Sequence, residues 1–127
     1  MEEIFYQKTL VGIRVQCMQA GSLPLTNAKE SLQLLTLKYK KNTHTIAAHG
    51  HAPKKRVTQC LQECLIVRKG KIKIDLYAPD KSYLKSFHLK AGELFILLQG
   101  GLAVHFLEDS EVFELKNGPF IKDEFLM

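Results

Sequence analysis

Apolar residues recur at every second position over most of the chain, and turn-forming residues interrupt them at intervals of about 8 to 12 residues. This alternation is typical of short strands that bury one face, and it differs from the 3.6-residue period of an amphipathic helix. We therefore expect an all-β protein with less than about a tenth of its residues in helices.

Nine strands are predicted from this pattern and from the enrichment in β-branched and aromatic residues. They are Val11 to Met18, Leu32 to Tyr39, His44 to Ala48, Cys60 to Val67, Lys71 to Tyr77, Tyr83 to Leu89, Leu94 to Leu98, Leu102 to Leu107 and Glu111 to Leu115. The segment from Gly21 to Pro24 has the composition of a turn. Ile4, Phe5 and Tyr6 form a further apolar strand for which the pattern offers no partner.

The clearest hairpin lies at Val67 to Lys71, where Gly70 can adopt the left-handed conformation that ends a tight turn. In the strand that follows, one face is apolar and is predicted to line the core, and the other is charged and is predicted to face water. The core face consists of Ile72, Ile74 and Leu76, and the water face of Lys71, Lys73 and Asp75.

The predicted strands have no crossover helices between them, so a parallel sheet is excluded. Antiparallel closure into a jelly roll or barrel would bury one face of each strand and remove most sheet edges. A chain of 127 residues, 46% of them hydrophobic, can form one compact core, so residues 1–127 are expected to be a single domain.

The chain carries a net charge of +5, but its densest basic groups, Lys38 to Lys41 and Lys54 to Arg56, are short and have too few interleaved aromatic residues for the base stacking that nucleic-acid binding requires. We therefore expect a solvated basic surface and no nucleic-acid partner. No stretch is apolar enough to span a bilayer, and the first ten residues do not resemble a signal peptide. Together with three cysteines in no regular framework, these features predict a cytoplasmic protein without a membrane partner.

His49, Gly50 and His51, followed by Glu63, are the strongest candidates for chemistry. Histidines two positions apart on a strand project from the same face, so both rings could reach one ion. Alternation places Glu63 on the same face as Leu65 and Val67, and a carboxylate on an apolar face needs a partner.

The segment from His49 to Tyr77 resembles the first conserved motif of the cupin superfamily, in which a His-x-His pair is followed by a glutamate and then by a hairpin glycine. The resemblance implies a cupin jelly-roll barrel, an antiparallel double-stranded β-helix. It also implies that His49, His51 and Glu63 ligate a divalent metal ion. The gap of twelve from His51 to Glu63 is longer than is usual in that motif.

The C-terminal half is similar to a small bacterial subgroup of cupins. Members of this subgroup look like proteins encoded beside surface-polysaccharide and nucleotide-sugar genes. The matching motifs are Gly92-Glu93, Gly100-Gly101-Leu102, Leu107-Glu108-Asp109 and Glu114-Leu115-Lys116-Asn117-Gly118-Pro119-Phe120. The chain departs from the subgroup at Leu102, where the family has its fourth ligand, a histidine. His105 could replace that histidine only if Leu102 pointed outward.

A second group of residues could hold an organic ligand by charge-assisted hydrogen bonds. Glu114 and Lys116 project from one face of their strand, and Arg56 lies in the preceding long loop. Alternatively, Glu114 and Lys116 form only an exposed pair of little energetic weight. The stretch from Gln59 to Glu63 could also hold an organic ligand by hydrogen bonds.

Two hypotheses follow for the function. In the first, a divalent metal on His49, His51 and Glu63 acts as a Lewis acid on a small polar metabolite such as a sugar or a sugar nucleotide. In the second, the chain is a non-catalytic binding or sensor module for such a metabolite and uses no metal. A homodimer is expected under either hypothesis, because the strand containing Ile4 to Tyr6 lacks a partner within the predicted barrel.

Overall fold

A computed structural model describes residues 1–127 and contains ten strands and no helix, which confirms the predicted all-β class. The strands are β1 (Glu2–Tyr6), β2 (Thr9–Val15), β3 (Gly21–Pro24), β4 (Leu35–Lys38), β5 (Glu63–Lys69), β6 (Lys71–Tyr77), β7 (Tyr83–Lys90), β8 (Leu94–Leu97), β9 (Gly101–Phe106) and β10 (Glu111–Lys116). No helix is present that would be long and apolar enough to cross a membrane.

All strand pairs are antiparallel and form three sheets. Five strands form the largest sheet in the order β1-β2-β8-β5-β10, and three form a second sheet in the order β7-β6-β9. Strands β3 and β4 form a two-stranded hairpin of their own. From β5 onward the chain alternates between the two larger sheets, except for the β6–β7 hairpin, which stays within the smaller one.

Strand β8 is buried on both faces, and all four of its residues are apolar. Phe95 and Leu97 belong to the core between the two larger sheets. Leu94 and Ile96 belong to a second core on the opposite face, where leucines around the β3–β4 hairpin cover the sheet. The five-stranded sheet is therefore the middle layer of the structure.

The smaller sheet presents the predicted apolar face to the first core, since Ile72, Ile74 and Leu76 are fully buried. Gly70 has the predicted left-handed conformation, with a φ of 89°, but the predicted hairpin is wrong, because β5 pairs with β8 and β10 while β6 pairs with β7 and β9. The turn at Gly70 instead takes the chain from the larger sheet to the smaller one. A left-handed φ of this kind is accessible to glycine at no steric cost.

Two strand assignments are also wrong. The segment Gly21–Pro24, expected to be a turn, is strand β3 and pairs with β4. The segment from His44 to Ala48, expected to be a strand, has no regular structure. The same holds for the whole stretch between β4 and β5. The latter stretch has few large apolar residues and no neighbouring strand with which its backbone could pair.

The N-terminal segment also differs from expectation, because β1 has a partner within the chain. It pairs with β2, and Ile4 is buried in the first core. The premise from which a homodimer was inferred is therefore wrong, and a homodimer stays a prediction without that support.

Polar contacts tie β1 and β2 to the smaller sheet. Arg14 donates a hydrogen bond from Nη2 to the carbonyl of His88 at 2.6 Å, and its guanidinium lies over the ring of Phe87. Lys85 donates to the Glu2 carboxylate at 2.9 Å. These contacts join one edge of the sandwich across its two layers.

We predict that Gly12→Ala destabilises the protein by about 1–3 kcal/mol, the usual cost of overpacking a core. A Cβ at Gly12 would lie 2.2 and 2.6 Å from two ring atoms of Phe95, which is fully buried and cannot move freely. Chemical denaturation measures the loss. Gly50→Ala is the matched control because a Cβ at that position would meet no atom within 4 Å, and equal stability of the two variants would contradict the prediction.

Candidate functional site

A cleft opens at one end of the sandwich, beside the first residue of β5 and the last residue of β10. Residues 58–61 and Glu63 form one wall, and residues 116–124 form the other. The enclosed volume is about 370 Å³, which suits a small metabolite. We call this cavity the Glu63 cleft.

Glu63 lies on the inner face of β5, as alternation predicted, because Leu65 and Val67 on the same face belong to the first core. In the sheet it is paired with Lys116 on one side and Leu97 on the other. Its side chain retains 23% of its accessible surface. A carboxylate therefore stands at the end of an apolar layer, partly withdrawn from water.

Lys116 is the principal cationic neighbour of Glu63. Its ammonium lies 4.0 Å from the Glu63 carboxylate and 3.1 Å from that of Glu114. The predicted common face of Glu114 and Lys116 is confirmed, and Val112 on the same face packs against the core. The pair is thus placed at the mouth of the cleft by the inward parity of β10.

Burial is the main cause that raises the pKa of Glu63 above its ordinary value. The nearby Glu114 carboxylate raises it further, and Lys116 opposes both effects. The pKa of Lys116 is also raised, chiefly by its hydrogen bond to Glu114. The cleft therefore disfavours additional negative charge.

Asn117 and Gln62 hold the first wall of the cleft in position. The Asn117 side-chain oxygen accepts a hydrogen bond from the Gln62 backbone at 2.7 Å, and its amide donates to the Cys60 carbonyl at 3.0 Å. The Gln62 side chain is buried and accepts a hydrogen bond from the Leu32 backbone at 2.8 Å. These bonds fix residues that belong to no strand.

A second cavity of about 580 Å³ adjoins the Glu63 cleft and shares Leu61, Glu63, Asp123 and Glu124 with it. Leu102 lines this cavity and packs against the first core. The chain thus has Leu102 on the inner side near Glu63, where the cupin resemblance expects a histidine. Hydrocarbon occupies this wall.

His105 points outward, as expected when Leu102 and Val104 point inward. Its ring donates from Nε2 to the Asp75 carboxylate at 2.6 Å on the outer face of the smaller sheet. The His105 ring therefore points away from the face that carries Glu63, and it does not line either cavity.

His49 and His51 are both exposed and lie in the segment between β4 and β5. Their rings are near each other, with centroids 5.3 Å apart, but neither lines the cavity that contains Glu63. No three His, Cys, Asp or Glu side chains are grouped closely enough to hold a metal ion. The structure therefore does not bring the three predicted ligands together, and a metal site on them stays a prediction.

Of the predicted ligand-binding residues, Lys116 lines the Glu63 cleft and Glu114 contacts it through Lys116. Arg56 is exposed and lines neither cavity. The stretch from Gln59 to Glu63, considered in the sequence as an alternative site for an organic ligand, does contribute to the cleft wall.

Asp123 and Glu124 belong to the site although no local pattern in the sequence singles them out, and Gln62 was predicted only as a member of the stretch from Gln59 to Glu63. Gln62 reaches its partners 30 and 55 residues away. Asp123 and Glu124 follow the last strand and reach the cleft only because the chain turns back there. Asn117 was visible only as part of the motif from Glu114 to Phe120.

No protein-family model, curated protein or solved structure matches the chain. The resemblance to cupins therefore rests on the motifs described above.

We predict that Glu63→Gln stabilises the protein at pH 7. Because burial raises the folded-state pKa of Glu63, ionising this group costs more in the folded state than in the unfolded state, so stability falls as pH rises from the ordinary value of 4.5 through the raised pKa. Glutamine removes this penalty, and the gain should vanish below that pH. Chemical denaturation at several pH values measures both effects.

Glu111→Gln is the control for this experiment, because Glu111 is exposed, lies at the far end of β10 and pairs with Arg68. It should produce no gain in stability at pH 7. A Glu63→Gln variant that is less stable than the native chain at neutral pH would contradict the assigned effect of burial.

Proposed function

We propose that the chain is a binding module for a small, neutral, polyhydroxylated metabolite of the sugar class, which it holds in the Glu63 cleft. The observation that carries the proposal is the half-buried Glu63 carboxylate beside the Lys116 ammonium within a cavity of about 370 Å³. A few converging polar groups at the end of an apolar layer are typical of small-molecule sites.

The chemistry of the lining favours hydroxyl groups as the ligand's contacts. A hydroxyl can donate to the Glu63 carboxylate and accept from the Lys116 ammonium, so adjacent hydroxyls on a ring can satisfy both. Charge-assisted hydrogen bonds of this kind are stronger than neutral ones. An uncharged ligand also adds no electrostatic repulsion with the carboxylates of Glu63 and Glu114.

The charge balance argues against a phosphorylated ligand such as a sugar nucleotide. The lining includes the carboxylates of Glu63, Asp123 and Glu124 against the cations Lys116 and Lys122, and Glu114 stands at the mouth. Arg56, the residue expected to hold a phosphate, lies outside the cleft. The sugar itself, rather than a nucleotide carrier, is therefore the proposed ligand class.

A single-domain cupin-like jelly roll is the proposed fold. Strands β5 and β8 pair in one sheet while β6 and β7 pair in the other, as in the folded antiparallel ribbon of a jelly roll. Strands β9 and β10 then add to β6 and β5. The proposal of a cupin-like fold is supported by Glu63 and Leu102, since both occupy inner positions of these strands, as the matching cupin positions would.

The proposal does not include the metal of the cupin resemblance, because His49 and His51 do not line the cleft that contains Glu63. It adopts the second hypothesis of the sequence, a binding or sensor module. A cytoplasmic location remains part of the proposal.

The proposal is tested by titrating the purified protein with neutral monosaccharides, with D-glucose and L-rhamnose as first probes and UDP-glucose as their anionic counterpart. Calorimetry and the ligand-induced shift of the melting temperature report binding. We expect a neutral sugar to bind, and both Glu63→Gln and Lys116→Ala to weaken it at least about tenfold, the effect of losing roughly 1.4 kcal/mol of charge-assisted hydrogen bonding.

Glu111→Gln serves again as the control, since it removes one carboxylate from the same strand as Lys116 without touching the cleft. It should bind the sugar as the native chain does. Equal weakening in this variant, or binding of UDP-glucose in preference to every neutral sugar, would overturn the proposal.

A further inference from the structure

The net positive charge of the chain comes from one segment. The 18 Lys and Arg exceed the 13 Asp and Glu by five. Residues 31–62 contain six of these cations and no carboxylate, so the other 95 residues carry 12 cations and 13 carboxylates, a net charge of −1. The six cations lie within residues 38–56, which we call the basic segment.

The basic segment is fully exposed and its cations are unpaired. All residues from 38 to 56 are exposed, and only the first of them belongs to a strand. None of the six cations forms a salt bridge, whereas five of the twelve in the rest of the chain do, namely Arg14, Arg68, Lys73, Lys85 and Lys116. Six unpaired cations in so short a segment repel one another and attract a polyanion.

An aromatic platform lies among these cations. The rings of Tyr39 and His44 are stacked, with centroids 4.1 Å apart and planes inclined by 8°. The Tyr39 hydroxyl is held 2.5 Å from that of Ser22 in β3, so the platform is anchored to the folded hairpin. Lys38, Lys40 and Lys41 flank it in sequence.

We propose that the basic segment binds single-stranded nucleic acid, with its lysines and Arg56 contacting phosphates and the Tyr39–His44 stack receiving a base. Aromatic stacking combined with a positively charged surface is the general mode by which proteins bind single strands. The expectation of no nucleic-acid partner assumed that too few aromatic residues lie among the lysines. Tyr39 lies between Lys38 and Lys40, and its stacking on His44 removes that objection.

Single strands fit the platform better than the other polyanions do. A duplex keeps its bases stacked on each other, so a protein ring cannot reach a base face without unstacking it. An anionic membrane attracts lysines but makes no use of a stacked ring pair, and the large apolar side chains available to enter the lipid are few, Ile46 being the main one within the segment.

The first experiment measures binding of a fluorescein-labelled single-stranded RNA of mixed sequence by anisotropy between about 50 and 200 mM salt. If all six cations contact phosphates, log K should fall against log salt with a slope of about −4. The triple variant K54A/K55A/R56A removes three contacts, so its slope should be shallower by about 2 and its binding at low salt at least about tenfold weaker.

A charge-matched control is K8A/K69A/K90A, which removes three exposed cations that form no salt bridge and lie outside the basic segment. It should retain the native affinity and slope. Equal weakening by the two triple variants would show that only net charge matters and would overturn the assignment to the basic segment.

The role of the platform is tested with Tyr39→Leu and Tyr39→Phe. Tyr39→Leu should weaken single-strand binding about 5- to 100-fold, the range expected for the loss of one stacked base, without changing the salt slope, and Tyr39→Phe should retain most of the affinity. Tyr83→Leu, which removes another exposed tyrosine, is the control and should have no effect.

Two further outcomes would overturn the proposal. One is equal affinity for a duplex of the same sequence, which would show that base faces are not contacted. The other is binding to vesicles containing phosphatidylserine with no measurable binding of the RNA.

Discussion

The burial of strand β8 on both faces is the constraint on which the rest of the structure depends. Each of its apolar side chains contributes roughly 1.5–3 kcal/mol when fully buried, so exposing either face would be costly. A strand of this kind must lie inside a sheet that is itself covered on both sides. The smaller sheet covers one side and the leucines around the β3–β4 hairpin cover the other.

The position of the Glu63 cleft follows from that arrangement. Because β8 is central, β5 pairs with it, and Glu63 comes to lie opposite Leu97 where the apolar inner layer ends. Strand β10 pairs with the free side of β5 and brings Lys116 beside Glu63. A carboxylate is tolerated here because a cation and some solvent remain within reach, as they would not one layer deeper.

The strands from β5 to β10 could be predicted from sequence to within a few residues at each end. All but β8 bury one face and so display their parity in the alternation, and β8, buried on both faces, is a continuous apolar run. The parity also indicated the correct inward direction for Glu63, and it showed that Leu102 and His105 must point in opposite directions without deciding which of them points inward. What local alternation could not supply was tertiary pairing. Strand β3 consists of four residues that begin with glycine and end with proline, and only its pairing with β4 makes it a strand.

The candidate site was less predictable than the fold. Residues 117–124 close the cleft through long-range contacts, and nothing in their local pattern shows where the chain will turn back. The histidine pair is a different case, because the sequence marked it clearly but the structure does not bring it to Glu63. A spacing of two residues puts both rings on the same face only if the segment is a strand. The residues around His49 and His51 lack the large apolar side chains that would hold a strand against a core.

The segment that contains those histidines is also free of the constraints that shape the rest of the chain. No residue from 38 to 56 belongs to either core, so packing places no demand on its composition. Folding alone would be served as well by a mixture of charges, which would reduce the repulsion among its cations. The scaffold outside residues 31–62 has such a mixture and is nearly neutral. The concentration of the net positive charge in this exposed segment is therefore not required by the fold, and it is the property from which the proposed contact with single-stranded nucleic acid is argued.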